Sequence, residues 1–448
     1  MLLRHLAARC RLVPAAALAA LAEHARCDAP AEDVDVVVIG GGIAGTACAL
    51  RLAANGRRTV LVERDTIACE ATGLSAGTLW CGGAATTPAL YDALAYRSMA
   101  CYEAAEKRQP GCCGLVRCGA LSLVSGAPGE LAAAEAAAAD FRARGVDARL
   151  LDREETVALE PALAGGGAVA AIFTPRSGYV DPGDAARAFA DHARARGAEV
   201  VEGDAVAAVA ADGAGGATCA CASGRRFRAA QVVVANGSGA RPLLRDSFGL
   251  EAPVSPVRGQ IWVASQSGDE TRDLTRVVYS QGSAVAWQNL KTAPAKCTHV
   301  DGARRVRHLY GRPRSDCAGV LFGGDRVPVA TAAEGYATTD ESTASSRGHA
   351  RELVGPAAVG DGLELDGAWS GPMPFSADGL PLVGDLGPLG LPQVWLLDGF
   401  GPSGMTLAPA AAEALADAAS GVDHPLRAML REHCDPCRGG GGGVTRVR

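Results

Sequence analysis

The sequence predicts an α/β fold: a parallel-sheet, nucleotide-binding domain interrupted by an α+β domain built on an antiparallel sheet. Three observations predict it. Residues 35–63 read D-V-V-V-I-G-G-G-I-A-G-T-A-C-A-L-R-L-A-A-N-G-R-R-T-V-L-V-E, one strand, glycine turn, helix and strand in succession. The strand, Gly-rich turn and helix pattern returns at 394–419. Between them, 253–323 carries alternating or apolar segments at turn spacing, which suits antiparallel pairing.

The opening unit is the most informative. Residues 36–39 are an apolar run, long enough for one strand buried on both faces. Gly40, Gly42 and Gly45 spell G-x-G-x-x-G. The first permits the tight turn, the second lets backbone approach a pyrophosphate, and the third lets the helix pack close to the strand. The helix N-terminus that follows favours a phosphate, with Ile43 and Ala44 in its first turn. Glu63 ends the second strand, where a ribose 2′-OH needs an acceptor and a 2′-phosphate would be repelled. The unit is Rossmann-type, and on its own it leaves FAD or NAD open.

A chain of 448 residues allows two domains with real cores. Net charge is −6, so no nucleic-acid-binding field is expected. No apolar run approaches the roughly 18 residues of a membrane span. Arg4, Arg9 and Arg11 precede the first acid, Glu23, in a segment otherwise filled by Ala and Leu. That composition predicts mitochondrial import, with a cytoplasmic protein or a secretory signal as the alternatives. The 15 cysteines are irregularly spaced and read mostly as buried free thiols, and no metal site is expected. Cys434-x-x-Cys437 stands beside a Gly run, in a tail (439–448) expected to be disordered.

In chain order, 68–83 is a small-residue loop whose backbone can approach a flat ring. Thr87-Pro88 opens a helix to about 107, a strand is expected within 115–124, and 130–144 is helical. Asp152 and Glu155 form a capping box, and Asp181-Pro182 starts another helix. Short strands are expected at 199–201 and 206–210. An apolar strand at 227–234 ends in the small-residue turn at Asn236-Gly237. Strands are then expected in 253–263, 277–289, 308–312, 319–323 and 394–397, before an Ala-rich helix to about 419.

Taken together, these motifs make the chain resemble the D-amino-acid-oxidase-type FAD oxidoreductases, which include glycine oxidase, sarcosine oxidase, and the sarcosine and dimethylglycine dehydrogenases. The resemblance runs from about 34 to 420. It rests on G-x-G-x-x-G with Glu63, A-T-G-L-S-A-G (71–77), G-Y-V-D-P (178–182), V-V-V-A-N-G (232–237), P-V-R-G-Q (256–260), D-G-L-P-L-V-G (378–384) and G-F-G-P-S-G-M-T-L-A-P (399–409). It implies FAD, bound by a discontinuous Rossmann-type domain (34–115, 171–255, 359–425). A substrate domain (116–170, 256–358) is inserted, with a targeting or disordered segment at 1–33 and a tail at 426–448. Carried over by position, further cofactor contacts are Arg64, Thr72, Gly73, Ala76, Gly77, Thr78, Val206, Gly401, Pro402, Ser403, Gly404, Met405 and Thr406.

The resemblance implies oxidation of the C–N bond of a small amine or amino acid, with oxygen or a redox protein as electron acceptor. A 2-hydroxy-acid dehydrogenase and a non-catalytic regulatory or assembly protein are the alternatives. Two departures stand out. Met373 occupies the position where amino-acid-oxidising members place a carboxylate-pairing Arg, and Met cannot form a bidentate pair. Cys81 occupies the position of a flavin-linked His in the dehydrogenases, which makes it a candidate flavin attachment. Tyr310 aligns with an active-site Tyr of glycine oxidase. Arg312, two residues on along one strand, is expected to share its face and to replace the missing Arg. Lys291 is a candidate oxygen-activating cation.

Overall fold

The computed structural model describes residues 30–82, 87–213, 215–266, 273–280, 298–300, 303–360 and 363–447. Lys291 and the N-terminal targeting expectation therefore lie outside the described residues. The elements that build the site are, in chain order, β1 (Glu32–Ile39), α1 (Ile43–Ala54), β2 (Thr59–Val62), β3 (Arg226–Val234), β4 (Val254–Gln266), β5 (Val277–Ser280), β6 (Ala303–Pro313), β7 (Gly319–Pro328), β8 (Leu363–Ser376), β9 (Leu391–Asp398) and α2 (Gly404–Ala419).

The cofactor sheet runs β9, β3, β1, β2 and Glu199–Val201, all parallel, with Leu382–Leu386 antiparallel at the β9 edge. Val36, Val37 and Val38 have no exposed surface because helices cover one face of the strand and further strands the other. On the helical face α1 packs against α2 and Pro182–Arg194. Alanines there, among them Ala47, Ala49, Ala408 and Ala411, are buried and let the helices approach closely. Cys48 is a buried free thiol in α1. The expected caps form: Asp152 and Glu155 make the reciprocal capping box, and the Asp181 carboxylate accepts from the N–H groups of Gly183 and Asp184.

The second sheet runs β8, β4, β7, β6, β5, Ala120–Val124, Ala170–Thr174 and Arg149–Asp152. Its pairings are antiparallel, as the alternation predicts, except that β5 pairs in parallel with Ala120–Val124. Trp262 is fully buried between layers, stacked on Phe322 with ring centroids 5.1 Å apart, and its Nε1–H donates to Ser346 Oγ at 3.0 Å.

Two expectations change. β8, where no strand is expected from the sequence, extends over 14 residues through Pro372 and Pro374. It lies at the sheet edge, where prolines without an N–H cost no ladder bond. The C-terminal tail is ordered through 447. Arg438 donates to both Asp378 carboxylate oxygens, at 2.8 and 2.9 Å, and to the carbonyls of Leu380 and Pro381. Thr445–Arg446 then pairs with Leu250–Glu251. The Gly run wraps this arginine rather than hanging free.

Candidate active site

The Gly-rich turn between β1 and α1 sets the first part of the site. Gly42 is the N-cap of α1 and brings no side-chain cap, so the first-turn N–H groups of Ala44 and Gly45 are left for a ligand. Thr72 Oγ1 accepts from the Ile43 N–H at 3.0 Å, and Glu63 Oε2 accepts from the Gly41 N–H at 2.7 Å. Arg64 pairs with Glu70, and Tyr336 from the second sheet's side donates its O–H to Glu70 at 2.8 Å. Around this turn lies a cavity of about 710 Å³. Gly40, Gly42, Ile43, Ala44, Glu63, Arg64, Thr72, Val206, Gly237, Gly401, Pro402, Gly404 and Met405 all line it.

A second cavity, of about 200 Å³, adjoins the first. Ala71, Ser75, Met373, Phe400, Gly401, Pro402 and Met405 line both, so the two meet along the small-residue loop and the start of α2. Ala76, Gly77, Thr78, Ser403 and Thr406 line the smaller cavity. Its far wall is one face of the second sheet: Gly371, Met373 and Phe375 from β8, Gly259 and Ile261 from β4, Arg326 from β7, His308 and Tyr310 from β6, and Tyr279 from β5. The alternation of strand side chains brings these positions to a single face.

Aromatic rings close the cavity. Trp80 stacks on Tyr279, with centroids 4.9 Å and planes 21° apart. Tyr310 lies over Gly323, where any β-carbon would collide with its ring. Burial pushes the phenols of Tyr310 and Tyr91 up to about 12, so both stay neutral, and burial drives His308 well below its ordinary value. Among the described residues no Asp, Glu or Lys lines this cavity.

Four residues expected at the site stand outside both cavities. Arg312 shares the face of Tyr310 but passes beyond the cavity. Its guanidinium donates to the carbonyls of Ala76 (2.6 Å) and Pro313 (2.9 Å) and lies 4.6 Å from the Tyr179 ring centroid. Cys81 is buried, its backbone N–H is taken by Ser177 Oγ at 3.0 Å, and burial pushes its thiol up to about 11. Gly45 serves the close packing of α1 on the turn, since a β-carbon there would strike the Gly40 carbonyl. Gly73 does the same within the loop, against the Ala68 carbonyl. Conversely, sequence reasoning missed Arg326, Tyr91, His308 and Asp398. Asp398 lines the larger cavity at the end of β9, the strand-end position where ligands of parallel sheets gather. Burial pushes its carboxyl up to about 7, against the Gly399 N–H that it accepts at 2.6 Å.

One group of potential metal ligands, Glu106, Cys112 and Cys113, occurs among the described residues. The Glu106 carboxylate already accepts from the N–H groups of Gly111, Cys113 and Leu115.

A dinucleotide-sized cavity opening into an aromatic chamber that no acid lines among the described residues defines a cofactor-dependent oxidoreductase. The chain belongs to the FAD dependent oxidoreductase (DAO) family, whose pattern matches residues 35–418. It is 27% identical over 392 residues to a glycine oxidase of Bacillus licheniformis, covering 86% of this chain and 92% of that protein. It is 31% identical over 179 residues to a 4-methylaminobutanoate oxidase (formaldehyde-forming) of Paenarthrobacter nicotinovorans, 39% of this chain and 21% of that protein. In fold it is similar to glycine oxidase from Geobacillus kaustophilus, with a TM-score of 0.72 at 23% identity, covering 88% of this chain and 96% of that one. L-proline dehydrogenase from P. horikoshii gives 0.71 at 20% identity, covering 87% and 93%.

FAD fits the residues present. Asn236 Oδ1, Ser238 Oγ and Asp398 Oδ2 are buried without hydrogen-bond partners, and all three residues line the larger cavity. Orphaned polar atoms of this kind need a polar ligand such as a ribityl or ribose chain. The start of α2, whose N-cap Ser403 makes no side-chain cap, offers a second free helix N-terminus. No helix of the described residues is long and apolar enough to cross a membrane.

Proposed function

We propose that this FAD-dependent oxidoreductase oxidises the C–N bond of a small amine or amino acid, by hydride transfer from the carbon that bears nitrogen. One observation carries the reading. The smaller cavity is enclosed by aromatic rings and, among the described residues, holds no carboxylate. An ammonium finds no counter-charge there, so burial favours the neutral amine. The neutral amine is the form whose nitrogen lone pair can support loss of a hydride. Bound FAD supplies the electron acceptor.

This chain's residues then bind, orient and exclude water. Trp80, Tyr279 and Tyr310 shut out solvent, and Met373 and Ile261 give an apolar surface against the substrate carbon. The neutral phenols of Tyr310 and Tyr91 offer hydrogen bonds without charge. Relatives named for glycine and 4-methylaminobutanoate oxidation support an amine substrate. Oxygen or a redox protein takes the electrons onward. A 2-hydroxy acid would need a group to take its O–H proton, and His308 is the one imidazole on the wall among the described residues.

The test is anaerobic titration of the holoprotein with glycine, sarcosine and longer N-methyl amino acids, against glycolate and lactate. Bleaching of the flavin by an amine and not by the hydroxy acids is expected. Bleaching by hydroxy acids alone would overturn the reading.

A further inference from the structure

β7 does not run regularly past β4. Gln260 pairs with Gly324 but Gly259 pairs with Arg326, so two steps along β7 face one step along β4. This is a β-bulge, and a bulge re-aims the side chains beyond it. Ile261 and Gly259 both line the smaller cavity, opposite Gly323 and Arg326. The extra residue thus sets Arg326 opposite Gly259, on the cavity face.

Arg326 is only 7% exposed, and it lines the smaller cavity. Among the described residues it has no hydrogen-bond or ion-pair partner. The charges and phenols that act on it are those of Tyr310, Tyr91 and His308. Burial pushes it down to about 10, which leaves it protonated at neutral pH. A buried guanidinium without a counter-ion is costly, and among the described residues no acid lines this wall to offset it. The cavity therefore carries an unbalanced positive charge beside two neutral O–H donors.

We propose that Arg326 anchors a carboxylate of the substrate and so restricts it to anionic amines, meaning amino acids and their N-alkyl derivatives. The inference rests on the reading that this cavity takes the substrate. The anchor is not where the family resemblance would put it. That position is Met373 on β8, two strands away across β4, about 10 Å at ordinary strand spacing. Met373 also lines the cofactor cavity, whereas Arg326 lines only the smaller one. The carboxylate is thus held from the β7 wall, on the side away from the cofactor cavity. A guanidinium offers a planar two-bond fork to a carboxylate, and the Tyr310 O–H can add a third donor.

The experiment titrates the holoprotein with acetate and benzoate, and with acetamide and benzamide as uncharged counterparts, following the flavin absorption spectrum. Carboxylates are expected to bind at least tenfold more tightly than the amides. Arg326→Met should weaken the carboxylates about 100-fold, the scale of losing a buried charged pair, and leave the amides unchanged. Arg326→Lys, a point charge without the fork, should fall between. Unliganded Arg326→Met should melt no lower than the parent, because it removes an uncompensated buried charge. Amides binding as well as acids, or carboxylates binding equally to parent and Arg326→Met, would overturn the proposal, as would an intermediate-free loss of both ligand classes in Arg326→Lys. No turnover is needed. If carboxylate binding depends on Arg326 while no amine bleaches the flavin, the anchor stands and the C–N reading falls.

Discussion

Arg312, on the substrate sheet, donates its Nε–H to the backbone carbonyl of Ala76 in the cofactor loop, 2.6 Å away. Trp369 does the same to Leu74 at 2.9 Å. The substrate sheet thus holds the loop that lines both cavities, and Arg312 acts through that loop. Arg312→Met should raise the FAD dissociation constant about tenfold, the effect of losing one charge-assisted hydrogen bond. Carboxylate and amide ligands should be affected equally. Fluorescence titration with FAD checks it, and selective loss of carboxylate binding would return Arg312 to a substrate role.

Gly42→Val should give a folded protein that retains no FAD. A β-carbon at Gly42 already comes within 3.1 Å of Thr72 Oγ1, which accepts the Ile43 N–H. The branch of Val adds bulk where the backbone must approach a pyrophosphate. The absorbance ratio of purified protein at 450 and 280 nm, about the flavin and protein maxima, measures the loss, with circular dichroism confirming the fold.

Asp398 sets a pH dependence of the flavin-free protein. Its folded carboxyl titrates near 7, above the usual carboxylate range. Between roughly pH 4 and 7 the native state holds a proton that the unfolded state has lost, so stability falls as pH rises through that window and is level above it. Asp398→Asn should therefore match the parent near pH 4 and exceed it by up to about 4 kcal/mol at pH 7.5. Urea unfolding of flavin-free protein at several pH values checks it. A gap that does not widen with pH would contradict this.

All flavin should stay in the supernatant after acid precipitation. Cys81 lines neither cavity, and its thiol, pushed up to about 11, is not a thiolate at neutral pH. Flavin absorbance in the washed pellet would show a covalent link.

The cofactor half was legible because its signals are local. The β1–α1–β2 unit fixes its own turn, and every contact that unit predicts except Gly45 lines a cavity. The substrate wall was less so. No strand is expected over β8 because sequence does not show that it is an edge strand, where Pro372 and Pro374 are tolerated. Tyr310 was legible through its neighbours, yet Arg312 was not, because face sharing says nothing of where a cavity ends. Arg326 depends on a bulge between strands about 65 residues apart in sequence. No local pattern marks such a register shift.

β4 pairs with β8 along its whole length, from Val254 opposite Ser376 to Gln266 opposite Leu363, with one bulge between Val263 and Ala264. Its first residue is packed in the cofactor core, and Trp262 and Ala264 are packed in the substrate core. The wall behind the substrate and the support beneath the cofactor are thus one beam. Such a frame does not open like a jaw, because parting the halves would tear a ladder of backbone bonds. Ligand traffic then becomes a matter of aperture: side chains and loops at the rim set how fast molecules come and go, while the distance between reacting partners stays fixed by the frame.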